Sequence, residues 1–286
     1  MLLSTTTCRP LAKDIPLEDV VKYTKASGFD AMDFNFCLKG FRGEETESEA
    51  FTQMLLRFKG LCRDYGLVLN QAHAPFIKAV REDVIRSMRQ AALLGIKTIV
   101  VHPLQHLRYE DPGVPQQLFD LNMEYYSSLI PYCEELGIRI AVENMWQRSK
   151  KNQKIILSVC AKAEEFVQYM DALDKTWFTA CLDIGHAILC DDPARAIRLL
   201  GHDRLGALHI HDSDGFDDSH TVPFHGIGKW EEITKALHDI DYTGDLTFET
   251  VDFERDMPAE AFPQTMALLG AVGKKLRSMV QQPKEG

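Results

Sequence analysis

The sequence lacks any apolar run close to the ~20 residues that a helix needs to cross a membrane. It also lacks low-complexity tracts, short internal repeats and a Pro- or Gly-rich linker. The first residues reach Arg9 and Lys13 without the apolar core of a signal peptide. These absences predict a cytoplasmic globular protein that neither spans a membrane nor is built from repeats.

An excess of positive charge is missing as well. The 286 residues include 32 Lys and Arg against 42 Asp and Glu, which gives a formal net charge of −10. Sequence-independent binding to a phosphate backbone depends on Lys and Arg that neutralise phosphates. The charge balance therefore argues against nucleic acid as a partner, although it leaves a local basic patch open.

Paired cysteine motifs are absent too. The seven cysteines form an odd set with no CxxC and no framework spacing. We predict reduced thiols that pack as small core or surface residues. They are Cys8, Cys37, Cys62, Cys133, Cys160, Cys181 and Cys190.

Hydrophobic residues make up 45% of the chain and charged residues 26%, so a sizeable core can form. The length falls in the range where a single α/β barrel of roughly 250 residues is common. Eight strand-like runs recur along the chain. They span residues 2–8, 31–36, 68–72, 98–101, 139–142, 178–182, 205–210 and 245–250.

Helical patterns lie between these runs, with apolar residues at three- and four-residue spacing. Several end in a glycine just before the next strand, where a left-handed cap is expected: Gly28, Gly66, Gly95 and Gly137. The alternation predicts an α/β fold, a (β/α)8 TIM barrel that forms a single domain over residues 1–286. A doubly wound open sheet is the alternative. The longest irregular stretch, "MWQRSKKNQKII" at 145–156, is predicted to be a loop over the active face.

Polar residues stand at the C-terminal ends of the predicted strands. They are His73, His102, Glu143, Asp183 with the nearby His186, His209 and Glu249. In a barrel these ends converge on one mouth, where active sites lie. A histidine or carboxylate at one strand end is ordinary, but a set on successive strands indicates a shared site.

Two of these residues, Glu143 and Glu249, have no Arg or Lys directly beside them. A carboxylate buried without a partner is costly, and one metal ion solves this for several carboxylates at once. The candidate ligands Glu143, Asp183, His209 and Glu249 lie on strands five to eight. Three carboxylates and one imidazole suit Mn²⁺, Mg²⁺ or Co²⁺ and permit Zn²⁺.

Several segments together resemble the sugar phosphate isomerase/epimerase family of xylose isomerase-like TIM barrels. They are "AVENMW", "CLDIGHA", "ALHIHDSDG", "SHTVPFHGIGKWEEITKAL" and "YTGDLTFET", with "HAPF" and "VVHP" on the third and fourth strands. The resemblance implies one divalent metal ion held by Glu143, Asp183, His209 and Glu249. It favours His209 over His211, because the ligand in such families tends to precede an acid by three positions, here Asp212.

The implied reaction is isomerisation or epimerisation of a sugar, sugar phosphate or keto-acid through a metal-stabilised enediolate. Glu143 and Glu249 would act as catalytic bases. The predicted substrate-binding residues are His186, His211, His73, His102, Trp146 and Lys229. An alternative role for His186 is to orient Asp183. A further alternative concerns basic residues, which either receive a phosphate or form a solvated charge run: Lys229 and the cluster of Arg148, Lys150 and Lys151. The partner is a small molecule, and a homo-oligomer is possible.

An alternative function is a phosphodiesterase that acts on abasic DNA, since the DNA repair enzyme endonuclease IV resembles the same barrel and uses three zinc ions. A second metal near His73, His102 and His186 would fit that pattern. That family also carries an Asp-x-His pair. We interpret the segment "SHTVPF" as supplying only His220, since the residue two positions after it is Val222, so one ligand is missing. A sugar-binding barrel without catalysis is a third hypothesis, and it is disfavoured because both candidate bases are present.

Overall fold

The architecture is that of a parallel barrel with helices outside, in a computed structural model that describes residues 1–13, 15–37, 46–76 and 80–282. The barrel strands are β1 (Leu3–Thr6), β2 (Ala31–Asn35), β3 (Val68–His73), β4 (Thr98–Val101), β5 (Arg139–Glu143), β8 (Phe178–Asp183), β9 (Leu205–His209) and β10 (Leu246–Phe248). Two further strands, β6 (Trp146–Arg148) and β7 (Ile155–Leu157), pair with each other outside the barrel. The eight predicted barrel strands are therefore confirmed.

The helices alternate with the barrel strands. They are α1 (Cys8–Ala12), α2 (Leu17–Ala26), α3 (Glu49–Tyr65), α4 (Arg81–Leu94), α5 (Val114–Ser127), α6 (Ile130–Leu136), α7 (Ala163–Ala172), α8 (Ile184–Cys190), α9 (Pro193–Arg204), α10 (Trp230–Asp239), α11 (Val251–Asp256) and α12 (Phe262–Val280), with a 3₁₀ turn at Ala259–Ala261. None of the helices in the described ranges is long and apolar enough to cross a bilayer.

The strand order is β10-β1-β2-β3-β4-β5-β8-β9, and all pairings are parallel. The two end strands meet through one parallel bridge between Ile210 and Phe248. Ile210 N donates to Thr247 O at 2.8 Å, and Glu249 N donates to Ile210 O at 3.0 Å. This contact closes the sheet into a barrel, so the doubly wound alternative is wrong.

Side chains that alternate along the strands divide the interior into two cores. The large core lies between the strands and the helices and includes Met32 and Phe34. A separate layer of small apolar side chains fills one half of the barrel: Val100, Ala141, Cys181 and Ala207. Because side chains repeat every two residues along a strand, the residue two positions after each of these points the same way, toward the mouth. Those four positions are His102, Glu143, Asp183 and His209.

Capping residues define several helix ends. The side chain of Ser48 accepts a hydrogen bond from Phe51 N at 3.1 Å and starts α3, which ends at Gly66 in the left-handed conformation. Gly95 and Gly137 end α4 and α6 in the same way, as predicted. The segment 120–137 reads as one helical pattern but forms parts of α5 and α6. Pro131 occupies the first turn of α6, where its missing N–H is tolerated.

The predicted loop at 145–156 is wrong in its central feature, because it contains the β6–β7 hairpin. Trp146 pairs with Leu157, and Arg148 pairs with Ile155. Ser149 N donates to Lys154 O at 2.8 Å at the turn. The polar residues 149–154 therefore form only the tip of the hairpin, and the apolar residues at its base pair as strands. All seven cysteines lie within the described ranges, and no disulfide joins any two of them there.

A buried carboxyl group on α7 makes folding stability depend on pH. Burial raises the pKa of Glu165 to about 7 from its ordinary value of 4.5, although Tyr109 and the Cys160 N–H donate hydrogen bonds to it. Between these two pKa values the folded state binds more protons than the unfolded state. The free energy of unfolding therefore falls as pH rises through this window.

We expect Glu165→Gln to remove this contribution, because an amide stays neutral at every pH. Urea unfolding at about pH 5 and about pH 8 measures it. The free energy of unfolding of the variant minus that of the wild type should be more positive at about pH 8 than at about pH 5. A stability difference that is the same at both pH values would contradict the prediction.

Candidate metal centre and active site

Four predicted ligands come together at the mouth of the barrel. Glu143, Asp183 and His209 are the last residues of β5, β8 and β9, and Glu249 follows β10 directly. One ligand atom from each lies within 4.8 Å of the others, and all four residues are buried. We call this set the carboxylate cluster.

The imidazole of His209 is central to the carboxylate cluster. Its Nδ1 lies 3.3 Å from Glu143 Oε1, 3.2 Å from Glu249 Oε2 and 3.9 Å from Asp183 Oδ2. All three carboxylates therefore face the same ring nitrogen. Four donor atoms converge on one small volume.

The donor set fits a divalent cation. No Lys or Arg in the described ranges forms an ion pair with any of the three carboxylates, whose ion-pair partners are all histidines. Three buried carboxylates this close would repel one another without positive charge between them. Three oxygens and one nitrogen form a ligand shell that divalent ions such as Mn²⁺ or Zn²⁺ accept.

The histidines keep the acids of the cluster ionised. Burial acts to raise the pKa of Glu143, but the charges of His102 and His209 outweigh it and hold that pKa well below its usual range. The pKa of Glu249 is also lowered, since His209 and His73 outweigh its burial. Both side chains are therefore carboxylates, which is the form that binds a cation or accepts a proton.

Two more predicted histidines border the carboxylate cluster. His102 Nε2 lies 3.0 Å from Glu143 Oε2, and His73 Nδ1 lies 3.3 Å from Glu249 Oε1. The two rings also contact each other, with their Nε2 atoms 3.1 Å apart. Each of the two glutamates thus has its own imidazole partner. His73, His102 and Glu143 form a second group of possible metal ligands.

A third group lies on the other side of Asp183 and consists of His186, His211, Asp218 and His220. Asp218 Oδ2 is 3.2 Å from His186 Nε2 and 3.1 Å from His220 Nε2. We call this set the histidine cluster. The interpretation that the Asp-x-His pair is missing is wrong, because Asp218 stands two residues before His220. Asp218 directly precedes Ser219, the first residue of the segment "SHTVPF".

The predicted grouping of His73, His102 and His186 around one second metal is also corrected. The structure places His73 and His102 beside Glu143, whereas His186 belongs to the histidine cluster. Strand-end position alone could not separate them, because His186 lies on α8 and its direction depends on the turn after β8.

Backbone hydrogen bonds orient the rings of the histidine cluster. His186 Nδ1 lies 2.8 Å from Asn144 O, and His220 Nδ1 lies 2.8 Å from Glu249 O. A carbonyl oxygen only accepts, so each Nδ1 must carry its proton. Each Nε2 then faces Asp218, and this is the usual arrangement of a metal-binding histidine.

Local sequence explains how the turn after β8 is built. Asp183 caps α8 by accepting a hydrogen bond from His186 N at 2.7 Å. Asn144 brackets the same residue, accepting from Asp183 N at 2.7 Å and donating to Asp183 O at 3.0 Å. Gly185 is required because a Cβ there would collide with the imidazole of His211. His211 Nε2 in turn lies 2.9 Å from Asp183 Oδ1.

Asp212 organises the loop that carries Asp218 and His220. Its carboxylate accepts hydrogen bonds from Ser213 N, Phe224 N, Gly228 N and Trp230 Nε1, at 2.7 to 3.0 Å. A buried carboxylate with four donors is fully satisfied without a cation. Asp212 is therefore a structural anchor of the site.

The remaining predicted residues have different surroundings. Trp146 Nε1 donates to Asp218 Oδ2 at 3.1 Å, which places the indole beside the histidine cluster. Lys229 is 72% exposed and pairs with Glu232 at the start of α10. Arg148 pairs with Asp217 and stacks over Trp146. The structure therefore brings Trp146 to the mouth and directs Lys229 to solvent.

One buried acid close to the site was not predicted. Asp33 on β2 lies with His73 and His209 in a group whose ligand atoms are within 4.8 Å of one another. Burial raises its pKa to about 7. A sequence feature could have identified Asp33 as a site residue, because an acid inside a barrel strand is unusual. Asp33 lies within the predicted strand 31–36, between the apolar Met32 and Phe34.

Comparison with known families identifies this barrel. Residues 21–271 match the model of the xylose isomerase-like TIM barrel family. The chain belongs to that family. Its eight parallel strands are what the resemblance implied.

Relatives of this xylose isomerase-like barrel occur among curated proteins. An uncharacterized protein of Methanocaldococcus jannaschii is 26% identical over 62% of this chain and 62% of that protein. An uncharacterized protein of Sinorhizobium fredii is 30% identical over 56% of this chain and 49% of that protein. D-psicose 3-epimerase of Agrobacterium fabrum is 27% identical over 57% of this chain and 53% of that protein. The chain thus spans less than two thirds of the length of each of these relatives.

Solved structures share the fold of the xylose isomerase-like barrel. A xylose isomerase domain protein from Alicyclobacillus acidocaldarius superposes with a TM-score of 0.73 at 16% identity, over 99% of this chain and 100% of that chain. D-psicose 3-epimerase in the presence of D-fructose superposes with a TM-score of 0.71 at 19% sequence identity, over 99% of this chain and 100% of that chain. The IOLI protein with a zinc atom superposes with a TM-score of 0.72 at 15% sequence identity, over 98% of both chains. At these identities the likeness shows the fold alone.

Proposed function

We propose that this barrel is a divalent-metal-dependent isomerase or epimerase of a small sugar, sugar phosphate or keto-acid. One observation carries the proposal: the carboxylate cluster pairs a complete ligand set with two glutamates, Glu143 and Glu249, that each have an imidazole partner. The D-psicose 3-epimerase relative and the epimerase structures of the same fold support this class of reaction.

Glu143, Asp183, His209 and Glu249 would hold one ion. When bound, a divalent cation supplies Lewis-acid stabilisation for the negative charge that develops on the substrate oxygens as a proton leaves carbon. The IOLI structure contains zinc, and the oxygen-rich shell here also suits Mn²⁺, Mg²⁺ or Co²⁺.

The two glutamates would move the proton. Glu143 belongs to β5 and Glu249 follows β10, and these strands are not neighbours in the barrel. A carboxylate from each can therefore approach a bound carbon from a different direction. Removal of a proton by one glutamate and return by the other gives epimerisation, whereas one base serving two adjacent carbons gives isomerisation.

His102 and His73 would assist these steps. Because His102 contacts Glu143 and His73 contacts Glu249, each ring can hydrogen-bond its carboxylate and orient it toward substrate. His186 would bind a substrate hydroxyl from the other side of Asp183, and Trp146 would form an apolar wall beside it. His211, which we predicted to bind substrate, is buried with its Nε2 on Asp183 and would instead orient that ligand. Lys229 stays a weaker candidate because it faces solvent.

Metal analysis combined with a substrate panel tests the proposal. We expect about one tightly bound divalent ion per chain, since four ligands satisfy one such ion. Keto-sugars and sugar phosphates incubated in deuterium oxide should then form isomers that carry deuterium at the reacting carbon. A metal-loaded protein that exchanges no carbon-bound proton on any of them would contradict the proposal.

A second candidate function is favoured by the histidine cluster. Asp218 and His220 form the Asp-x-His pair that the endonuclease IV resemblance calls for. The argument against the phosphodiesterase hypothesis from a missing pair therefore no longer holds. Three tightly bound zinc ions per chain, with cleavage of DNA at abasic sites, would favour this function. The net charge of −10 argues against it.

A further inference from the structure

A partly buried arginine without an acidic partner lies in the loop that joins β4 to α5. It is Arg108, six residues after His102. Among the residues that the structure describes, no Asp or Glu forms an ion pair with it. A cation that loses hydration without gaining a counter-charge is costly. The position therefore favours an anionic ligand.

The guanidinium of Arg108 keeps an unused donor that solvent can reach. Its Nη1 donates to Arg148 O at 2.8 Å, and its Nε is buried without a partner in the described ranges. Its Nη2 has no partner there either, but this atom is not buried. An incoming ligand would therefore meet Nη2, on a group whose charge is partly dehydrated and acts more strongly than it would in water.

Arg139 gives a comparison at the opposite end of the barrel, where it is the first residue of β5. Its Nε is also buried and unpartnered among the described residues. Its Nη2, however, donates to Lys175 O at 3.1 Å and to Phe178 O at 3.0 Å. Arg139 therefore ties backbone segments together, whereas Nη2 of Arg108 has no such acceptor in the described chain.

Contacts with the β6–β7 hairpin place Arg108 near the histidine cluster. Its acceptor, Arg148 O, belongs to β6, and Trp146 lies two residues earlier, about 7 Å along the strand. The Trp146 indole donates to Asp218 at 3.1 Å, and its ring centroid is 6.3 Å from that of His186. A ligand that occupies the mouth can thus extend along β6 to Arg108.

The other cations of this region are less suited to bind an anion. Arg148 is already engaged by Asp217. Lys150 and Lys151 are exposed at the tip of the hairpin, where water and salt weaken the attraction between charges. Arg108 is therefore the better candidate for an anion site.

We propose that Arg108 is a specificity-determining residue that binds an oxyanion of the substrate, a phosphate or a carboxylate, through Nη2. This inference rests on the proposed function, since it names the substrate class of the same site: sugars that carry an anionic group away from the reacting carbon. Guanidinium donors form strong, charge-assisted hydrogen bonds with both of these groups. Neutral sugars would bind without this contact.

Isothermal titration calorimetry with inorganic phosphate measures the contact without turnover. We expect Arg108→Met to bind phosphate ~10–100-fold more weakly than the wild type, because a charge-assisted hydrogen bond is lost. Arg108→Lys should lose less, since an ammonium keeps the charge but not the planar fork. Arg139→Met is the matched control and should bind phosphate as the wild type does. All of these proteins keep the carboxylate cluster, so phosphate bound by its metal is common to them.

Equal phosphate affinity of the wild type and Arg108→Met would overturn the proposal, and so would an equal loss in Arg139→Met. Circular dichroism shows whether Arg108→Met folds. If it does not fold, Arg108→Lys decides the question: weaker phosphate binding supports the contact, and unchanged binding overturns it.

Three ligands that differ at a single carbon separate a phosphate from a carboxylate: D-glucose, D-glucose 6-phosphate and D-glucuronate. Arg108→Met should weaken the binding of one or both anionic ligands by ~10–100-fold and leave D-glucose unchanged. The anionic ligand that loses affinity identifies the group that Arg108 binds. An equal loss for all three ligands would indicate a purely structural residue and would refute the assignment.

Failure of the proposed function gives a different pattern. If no sugar of the panel exchanges a carbon-bound proton, the isomerase proposal fails, while phosphate binding still tests the Arg108 contact. If neutral sugars alone react and Arg108→Met changes the affinity of no ligand, the proposed function stands and this inference fails. Displacement of phosphate by a short abasic DNA duplex, but by neither anionic sugar, would assign Arg108 to the second candidate function and overturn its role in sugar binding.

Discussion

Glu249→Gln is expected to keep its divalent ion and to lose ~10²–10⁴-fold in turnover. An amide oxygen still coordinates a cation, but an amide cannot accept the substrate proton. The other three ligands of the carboxylate cluster are unchanged. Metal content per chain and steady-state turnover, measured on the same preparation, check both halves of this expectation.

Glu143→Gln should behave alike, and deuterium exchange distinguishes the two bases. In an epimerase each variant loses exchange from one epimer more than from the other, whereas in a one-base isomerase a single glutamate dominates. Glu165→Gln is a matched control, because this buried glutamate is bound by Tyr109 and the Cys160 N–H. If both cluster variants retained metal and near-full turnover, the glutamates would be ligands only.

Asp183→Ala is expected to abolish metal binding and leave the barrel folded. The substitution removes a buried anionic ligand and also the cap of α8. Loss of a capping side chain costs about 0.5–2 kcal/mol, which a barrel of this size tolerates. Metal content by elemental analysis and unfolding by circular dichroism measure the two effects.

A matched pair of variants separates the ligand from the cap. Asp183→Asn retains a good capping side chain and an amide oxygen that still coordinates a cation, so it should be more stable than Asp183→Ala and keep more of its metal. Asp192→Ala removes the corresponding cap of α9, where Asp192 accepts from Arg195 N at 3.0 Å. It should lose stability and keep its metal. An Asp183→Ala protein with a full complement of metal would contradict the assigned ligand set.

The positions of β4 and β5 could be predicted because each contains a short apolar run, which is followed by His102 in one case and by Asn144 in the other. β4 and β5 were placed to within one residue. The hairpin at 146–157 could not be predicted, since its strands are three residues long and carry no regular alternation. Helix breaks such as the one before α6 depend on tertiary packing as much as on Pro131.

The carboxylate cluster was predictable for a geometric reason. Strand ends in a parallel barrel share one rim, so Glu143, Asp183 and His209 had to approach one another. Asp218 lies in an irregular loop whose path is set by hydrogen bonds to Asp212, which no spacing rule encodes. Lys229 faces solvent because of the same loop. Asp33 points into the barrel from within a strand, where a sequence pattern gives its direction but not its neighbours.

The closing contact of the barrel gives the carboxylate cluster a mechanical consequence. Among the residues that the structure describes, one aligned pair, the Ile210–Phe248 bridge, joins the ends of β9 and β10, whereas the other neighbouring barrel strands share more than one aligned pair. His209 ends β9 and Glu249 follows β10, so an ion bound to both would link the ends of these two strands. Occupancy then adds to the free energy of local opening in proportion to the logarithm of metal concentration. Amide exchange at Ile210 and Glu249 would register the ion directly.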